Sequence, residues 1–135
     1  MLGDYTPTKG STLLIPSGTS SNPDGKHLFF ILTNPCAGNQ HLLVSATSVK
    51  PARAHDPTCL LAAGAHPFIE HQSYIFYAGV KQLPHSGIIK CVSGTIYTPK
   101  EPCDPQLLER IRAGVTVSAM TPRWAKEYFR INGNR

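Results

Sequence analysis

The chain has 135 residues and a mass of 14.7 kDa, a length that suits one domain and excludes a two-domain enzyme. Apolar residues make up 41% of it and charged residues 16%, so it can bury an ordinary core and is not a disordered tail. The formal net charge of +5 arises entirely in residues 71–135, which hold nine basic and four acidic residues, whereas residues 1–70 hold four of each. A localised positive field favours a polyanionic partner such as nucleic acid, and the alternative is an ordinary basic surface that faces solvent.

The expected compartment is the cytoplasm, because the first residues lack the basic and apolar regions of a secretion signal. The longest apolar runs are far shorter than the ~18 to 20 residues that cross a bilayer, so we expect no membrane partner. The cysteines form no C-x-x-C pair, and in a cytoplasmic protein we interpret them as small buried apolar residues, with no cofactor implied. They are Cys36, Cys59, Cys91 and Cys103.

The spacing of 12 prolines and 11 glycines between short apolar runs predicts a mainly β fold, a small barrel or sandwich of five to six short strands. Residues 17–25 have no apolar side chain and are predicted to form a solvated loop. We expect the whole chain, residues 1–135, to be a single domain. The predicted strands are residues 12–16, 27–33, 41–50, 58–63, 74–80 and 88–97.

The C-terminal part changes to a helical pattern, with helices predicted at about residues 104–113 and 121–130. Asp104 and Pro105 supply an N-cap and a first helical position, and Gly114 lies where the first helix is expected to end. A threonine followed by proline starts the second helix in the same way. The aromatic residues expected to dock this second helix on the barrel are Trp124 and Tyr128.

Known motifs for nucleotide hydrolysis, dinucleotide binding and serine hydrolases are absent from the sequence. Four residues form a conceivable zinc set, although their spacing matches no standard zinc site, and we favour structural or hydrogen-bonding histidines instead. A zinc-dependent hydrolase is therefore the most distant alternative. The four residues are His55, Cys59, His66 and His71.

A cation and an imidazole lie at the start of the second predicted strand, and hydroxyls lie near the end of the third. Lys26 and His27 lie where the long polar loop enters the second strand, and Thr47 and Ser48 lie at the end of the third, with Lys50 beyond them. Cleavage of RNA through its 2′-hydroxyl needs a proton-transfer group, a cation for the charge on phosphate and a hydroxyl donor, and no metal. The alternative is that these are ordinary loop and strand-end residues.

Several short motifs follow one another over residues 9–114 in a recognisable order. They are Lys9-Gly10 before the first strand, Asp24-Gly25-Lys26-His27 before the second, Ala46-Thr47-Ser48 closing the third, His71-Gln72-Ser73-Tyr74 before the fifth, and Gly94 with the Leu107-Leu108-Ile111 helix. In this order the chain resembles the MazF/PemK toxins, small SH3-like barrels that dimerise and cut single-stranded RNA. Two positions depart from that family: Ser11 replaces its acidic residue, and its catalytic arginine has no arginine counterpart beside Lys26 and His27. Lysine lacks the two-pronged donor of arginine.

The resemblance implies a metal-independent endoribonuclease toxin, a homodimer restrained by an antitoxin protein. Lys26 would then hold the scissile phosphate, His27 would move protons, and Thr47 or Ser48 would donate to a phosphate oxygen. The basic second half would follow the RNA backbone, and exposed aromatic rings would stack on bases. The substrate-binding candidates are Lys50, Ser73, Tyr74, Tyr77 and Lys81, with Trp124 as a further stacking face. The alternative function is a non-catalytic SH3-like module that binds nucleic acid or a protein partner.

Overall fold

A computed structural model describes residues 5–16 and 25–134, so most of the predicted loop at residues 17–25 lies outside the described residues. Within these ranges the chain forms six strands and three helices. The mainly β prediction is confirmed: the strands make one curled, half-barrel antiparallel sheet in the order β4-β5-β3-β2-β1-β6. The elements are β1 (Thr12–Pro16), β2 (Lys26–Ile31), β3 (Gln40–Ser48), β4 (Leu60–Leu61), β5 (Ser73–Pro84), α1 (His85–Ser93), β6 (Thr98–Lys100), α2 (Pro105–Val117) and α3 (Arg123–Asn132).

Both faces of the sheet are covered, and strand alternation decides which side chain goes to which face. In β2, Leu28 and Phe30 belong to the larger of two buried clusters among the described residues, whereas Phe29 and Ile31 belong to the smaller one. Helices α2 and α3 and the segment 59–69 cover the larger core, and α1 covers the smaller. The near-continuous apolar run of β2 is therefore that of a strand buried on both sides.

One predicted strand is wrong. Residues 88–97 do not form a strand, because α1 occupies His85–Ser93 and only the short β6 follows it. Pro84 is the extended residue before the helix, and Ile88 and Val92, one helical turn apart, are both buried in the smaller core. The predicted strand at 58–63 shortens to Leu60–Leu61, because a turn with Gly64 at a φ of 88° follows it.

Both predicted C-terminal helices are confirmed, with shifted ends. The Asp104 side chain accepts hydrogen bonds from the backbone N–H groups of Gln106 and Leu107, each at 3.1 Å, as expected of an N-cap. Helix α2 does not end at Gly114 but continues to Val117. Gly114 instead lies against Tyr77, whose hydroxyl would be 1.9 Å from an added Cβ, so close approach explains this glycine.

The docking of α3 differs from the expectation for Trp124, whose side chain is 46% exposed. The helix contacts the larger core through Ala125, Tyr128 and Phe129 instead. These residues follow a helical period of three and four, which leaves Trp124 beside rather than on the buried stripe. The prediction that Trp124 docks the helix is therefore wrong, and the prediction for Tyr128 is confirmed.

The four cysteines all lie in the described ranges and are free thiols. Cys59 and Cys103 are buried in the larger core, whereas Cys36 and Cys91 are half-buried. Burial raises the pKa of the Cys103 thiol to about 12 and raises that of Cys59 as well. The interpretation as small apolar residues is confirmed for this buried pair. None of the described helices has the length and apolar composition needed to cross a membrane.

Candidate functional site

The ends of three neighbouring strands lie side by side at the same end of the sheet. The antiparallel register pairs Phe29 of β2 with Ser45 of β3, so two residues further along His27 and Thr47 come to the same end. On the other side of β3, Ser48 pairs with Ser73 of β5. The beginning of β2, the end of β3 and the beginning of β5 therefore form one border, although they are far apart in the sequence.

An open pocket of about 440 Å³ lies at this border, and we call it the basic pocket. Its lining comes from residues 25–28, 46–50 and 68–73. All four predicted catalytic residues line it, together with two of the predicted substrate-binding residues. They are Lys26, His27, Thr47 and Ser48, with Lys50 and Ser73.

The residues of the basic pocket reach it from different sides of the strands. Leu28 lines the pocket and belongs to the larger core, so the pocket opens on that face of the sheet. Strand alternation places Lys26 on the same face and His27 on the opposite one, and the same applies to Ser48 and Thr47 in β3. Lys26 and Ser48 thus face the pocket, whereas His27 and Thr47 border it at the strand ends.

The other three predicted substrate-binding residues lie outside the basic pocket. Tyr77 is fully buried, and its hydroxyl donates to the Ile111 carbonyl oxygen at 2.7 Å, so it presents no stacking face and the expectation for it is wrong. Lys81 is exposed further along β5, paired with Leu43 rather than at the pocket. Tyr74 is half-buried and lines two further cavities, of which the smaller shares lining residues with the basic pocket.

The loop after β4 forms one side of the basic pocket, and hydrogen bonds of a buried histidine hold this loop in place. The Nδ1 atom of His66 accepts a hydrogen bond from the backbone N–H of Phe68 at 3.0 Å, so Nε2 carries the proton and donates to the Glu101 carbonyl oxygen at 2.7 Å. This arrangement positions Phe68, 41% exposed, and His71 in the pocket lining. The Ser73 hydroxyl donates to the backbone carbonyl of His71 at 2.9 Å and so supports the loop.

Phe68 and His71 add an aromatic face and a second imidazole that the sequence analysis did not assign to this pocket. The signal was present in the His66–His71 segment, whose histidines we interpreted as structural or hydrogen-bonding residues in preference to metal ligands. Their role depends on a contact with Glu101, 35 residues away, which no local pattern shows.

The distant zinc alternative gains no geometric support. Among residues 5–16 and 25–134, no three His, Cys, Asp or Glu side chains lie close enough together to hold a metal ion. Both ring nitrogens of His66 already have protein partners. The ring of His55 lies against that of Tyr74, with centroids 5.3 Å apart.

The charge of the basic pocket comes from the half of the chain that is neutral overall. Lys26 and Lys50 line it together with one carboxylate, Glu70, and Arg53 lies next to Lys50 in an adjoining cavity. Among the arginines of the C-terminal half, Arg110 donates to the Leu60 carbonyl oxygen at 2.7 Å, and Arg130 pairs with a glutamate on its own helix. The charge of the site therefore depends on the few charged residues that line it, and the net charge of each half of the chain does not predict it.

Comparison with protein-family models gave no match, and comparison with curated protein sequences gave none at a significant level.

Proposed function

We propose that the protein is a metal-independent endoribonuclease that cleaves single-stranded RNA, of the kind found as toxins in toxin–antitoxin pairs. The observation that carries the proposal is the basic pocket, whose lining brings two lysines, two histidines, one glutamate and strand-end hydroxyls to one open cavity. Its volume of about 440 Å³ suits a phosphodiester and part of a nucleotide.

The reaction is a transesterification within the substrate. A base removes the proton of a 2′-hydroxyl, whose oxygen attacks the adjacent phosphorus, and the bond from phosphorus to the 5′-oxygen breaks as an acid protonates that oxygen. The products are a 2′,3′-cyclic phosphate and a 5′-hydroxyl. His71 lines the pocket and His27 borders it at the start of β2, and these two side chains are assigned the base and acid roles because an imidazole ring can both accept and donate a proton.

Lys26 and Lys50 are assigned to the phosphate, where they stabilise the additional negative charge of the transition state. The Ser48 hydroxyl is positioned to donate to a phosphate oxygen, since it shares the pocket face with Lys26, and Thr47 borders the same cavity. Two lysine point charges would replace the single planar arginine of the MazF/PemK family. The proposal therefore assigns the phosphate to a pair of residues rather than to Lys26 alone.

We also propose that the fold is related to SH3-like barrels. The curled antiparallel sheet and the order of the sequence motifs support this relationship. A homodimer, an antitoxin partner and a cytoplasmic location rest on the resemblance of residues 9–114 alone.

The test is incubation of the purified protein with single-stranded RNA in the presence of a chelator, with analysis of the fragment ends. We expect 2′,3′-cyclic phosphate ends, and no cleavage of a 2′-O-methyl oligonucleotide, which lacks the attacking hydroxyl. His27→Ala or His71→Ala should lower the cleavage rate by about 10²- to 10⁴-fold, the usual contribution of a general acid or base. Lys90→Ala, an exposed cation on α1, is the control for Lys26→Ala.

Undiminished cleavage by both the Lys26→Ala and His27→Ala variants would refute the assignment of the basic pocket. Salt-dependent RNA binding without any cleavage would instead identify a binding module with the same surface.

A further inference from the structure

A second cavity, of about 590 Å³, lies beside β5, and we call it the aromatic pocket. Tyr74 and Phe76 of β5 form one wall, the segment 54–58 forms another, and residues 117–120 after α2 form the third. Strand alternation explains this composition: Ile75 and Tyr77 point into the larger core, so their neighbours Tyr74 and Phe76 point to the opposite face.

The aromatic pocket exposes planar and apolar groups to solvent. The Phe76 side chain is 42% exposed and that of Met120 is 56% exposed. The Phe76 ring lies over Gly79, where an added Cβ would be 2.6 Å from two ring carbons, so the absence of a side chain gives the ring its place. The rings of His55 and Tyr74 lie 5.3 Å apart between centroids and are inclined by 35°.

A hydrogen-bond network keeps the walls of the aromatic pocket together. The buried Ser118 hydroxyl donates to Oδ2 of Asp56 and accepts from the backbone N–H of Met120 at 3.0 Å. The backbone N–H and the hydroxyl of Thr58 donate to Oδ1 of Asp56 at 3.0 and 2.5 Å. Although partial burial opposes ionisation, these hydrogen bonds lower the pKa of Asp56, so the link persists at neutral pH. The pocket is thus formed before any ligand arrives.

A small cavity of about 100 Å³ joins the aromatic pocket to the basic pocket, and we call it the cationic notch. Thr47, Ser48 and Lys50 line both the notch and the basic pocket. His55 and Tyr74 line both the notch and the aromatic pocket. The three cavities therefore form one continuous track around the end of β3.

Arg53 and Lys50 make the notch positively charged. A ligand that passes through it should carry negative charge at this point and should end in a flat apolar group in the aromatic pocket. A nucleotide of a single strand has both features, since its phosphate is anionic and its base offers a face for stacking. An apolar peptide would match the aromatic pocket but would leave the two cations without counter-charge.

We infer that the aromatic pocket binds an unpaired nucleobase of the same RNA strand whose neighbouring phosphate lies in the basic pocket, with Phe76 as the main stacking face. This inference rests on the proposed function for its ligand class and extends it to a base-binding site. Arg53 contacts the intervening backbone in this arrangement, and Tyr74 and His55 border the base.

The test measures binding separately from cleavage. A 2′-O-methyl oligoribonucleotide cannot be cleaved through its 2′-oxygen and reports affinity alone. We expect Phe76→Ala to weaken its binding by about 5- to 150-fold, the range for loss of one base-stacking contact. Ile131→Ala is the control, because Ile131 is an apolar residue on α3 that is exposed to a comparable extent, 57%, and lines none of the three cavities. It should leave the affinity unchanged.

A second measurement pairs the protein change with a ligand change. Oligonucleotides with one abasic position, moved along the strand, should contain one position where loss of the base weakens binding to the native protein. That same abasic position should cause no further loss in Phe76→Ala, because the contact is already gone. Independent effects of the two changes would overturn the inference, as would equal affinity of the Phe76→Ala and native proteins.

Failure of the inference is distinguishable from failure of the proposed function. Cleavage that is retained with no effect of Phe76→Ala on affinity overturns the base site and leaves the nuclease. Phe76-dependent binding without cleavage of ordinary RNA supports the base site and refutes the nuclease. Absence of any binding to single strands, or capture of peptides only, overturns the inference.

Discussion

The position of Tyr77 in the sheet explains why residue 114 of α2 is a glycine. Burial raises the pKa of the Tyr77 phenol, so its hydroxyl remains protonated and donates to the Ile111 carbonyl oxygen of α2. The hydroxyl occupies the space that a Cβ at position 114 would need. Tyr77 belongs to a residue type that often stacks on bases, but here its side chain fixes α2 on the sheet.

A hydrogen-bonded pair of histidines, of which His41 is fully buried, makes the stability of the protein depend on pH. Nδ1 of the fully buried His41 donates to the Thr33 carbonyl oxygen at 2.8 Å, so its Nε2 accepts the hydrogen bond from Nδ1 of His85, also at 2.8 Å. Burial lowers the pKa of His41, and the nearby His85 adds to this effect. A proton on Nε2 of His41 would face the donor of His85 and break their bond.

Because the pKa of His41 is lower in the folded than in the unfolded state, the unfolded state binds more protons below about pH 6.5. The free energy of unfolding should thus be maintained above pH 6.5 and should decrease as the pH falls below it. Urea unfolding at pH 7.5, 6.5 and 5.5 measures this dependence. His41→Gln should be less stable at pH 7.5 but should show a smaller loss between pH 7.5 and 5.5. An equal loss in both proteins would contradict the assignment to His41.

At the level of elements, the sequence indicates the central strands and the two C-terminal helices well and the first helix, α1, poorly. The limits of β1 were predicted correctly, because an apolar run bounded by turn residues allows few alternatives. The segment at 88–97 is short and apolar, and its isoleucines and valine suit a strand as well as a helix. Its structure is decided by tertiary packing, since Ile88 and Val92 complete the smaller core from one face of α1.

Strand β5 shows a second limit of local patterns. Residues 74–78 are all apolar or aromatic, so alternation alone does not tell which of Tyr74 and Tyr77 is exposed. The bulge in the pairing of β3 with β5 and the position of α2 make that choice. Residues on the strand ends were predictable site candidates, whereas the choice among the tyrosines needed the fold.

Arg112 is a long-range tie between three elements. It donates from Nε to the Leu32 carbonyl oxygen at 3.1 Å and from its guanidinium to the Gly133 carbonyl oxygen at the end of α3. The guanidinium also lies 5.2 Å from the centroid of the Phe129 ring. We expect Arg112→Ala to lower the free energy of unfolding by about 1.5 to 3 kcal/mol, the usual range for hydrogen bonds to a charged group. Chemical denaturation measures the change.

Arg130→Ala is the control for this prediction. Arg130 pairs with Glu127 on the exposed side of α3, at 2.5 Å, where solvent screens the attraction. Its replacement should leave the melting temperature unchanged within error. If both arginine variants were equally stable, the role of Arg112 as a tie would be wrong.

For the whole molecule, the site arises where distant segments meet. The opening of β2, the close of β3 and the loop before β5 are each recognisable from polar residues that follow apolar runs. What the sequence does not show is the curvature that brings them to one cavity and extends that cavity through the notch to the aromatic pocket. The same applies to charge, because an even distribution over residues 1–70 becomes a local cluster of Lys26, Lys50 and Arg53 after folding.

Two triple variants with equal net charge separate this local cluster from the general positive charge. Replacing Lys26, Lys50 and Arg53 by Gln lowers the formal charge from +5 to +2, and so does replacing Lys90, Arg123 and Lys126. On single strands each phosphate contact contributes about 0.7 to the slope of log K against log salt, so the first variant should reduce that slope by about 2 and the second should not change it. Titration of a 2′-O-methyl oligonucleotide at several salt concentrations measures both slopes. A reduction confined to the second variant would mean that RNA follows the C-terminal helices, and the basic pocket would lose its role in binding the strand.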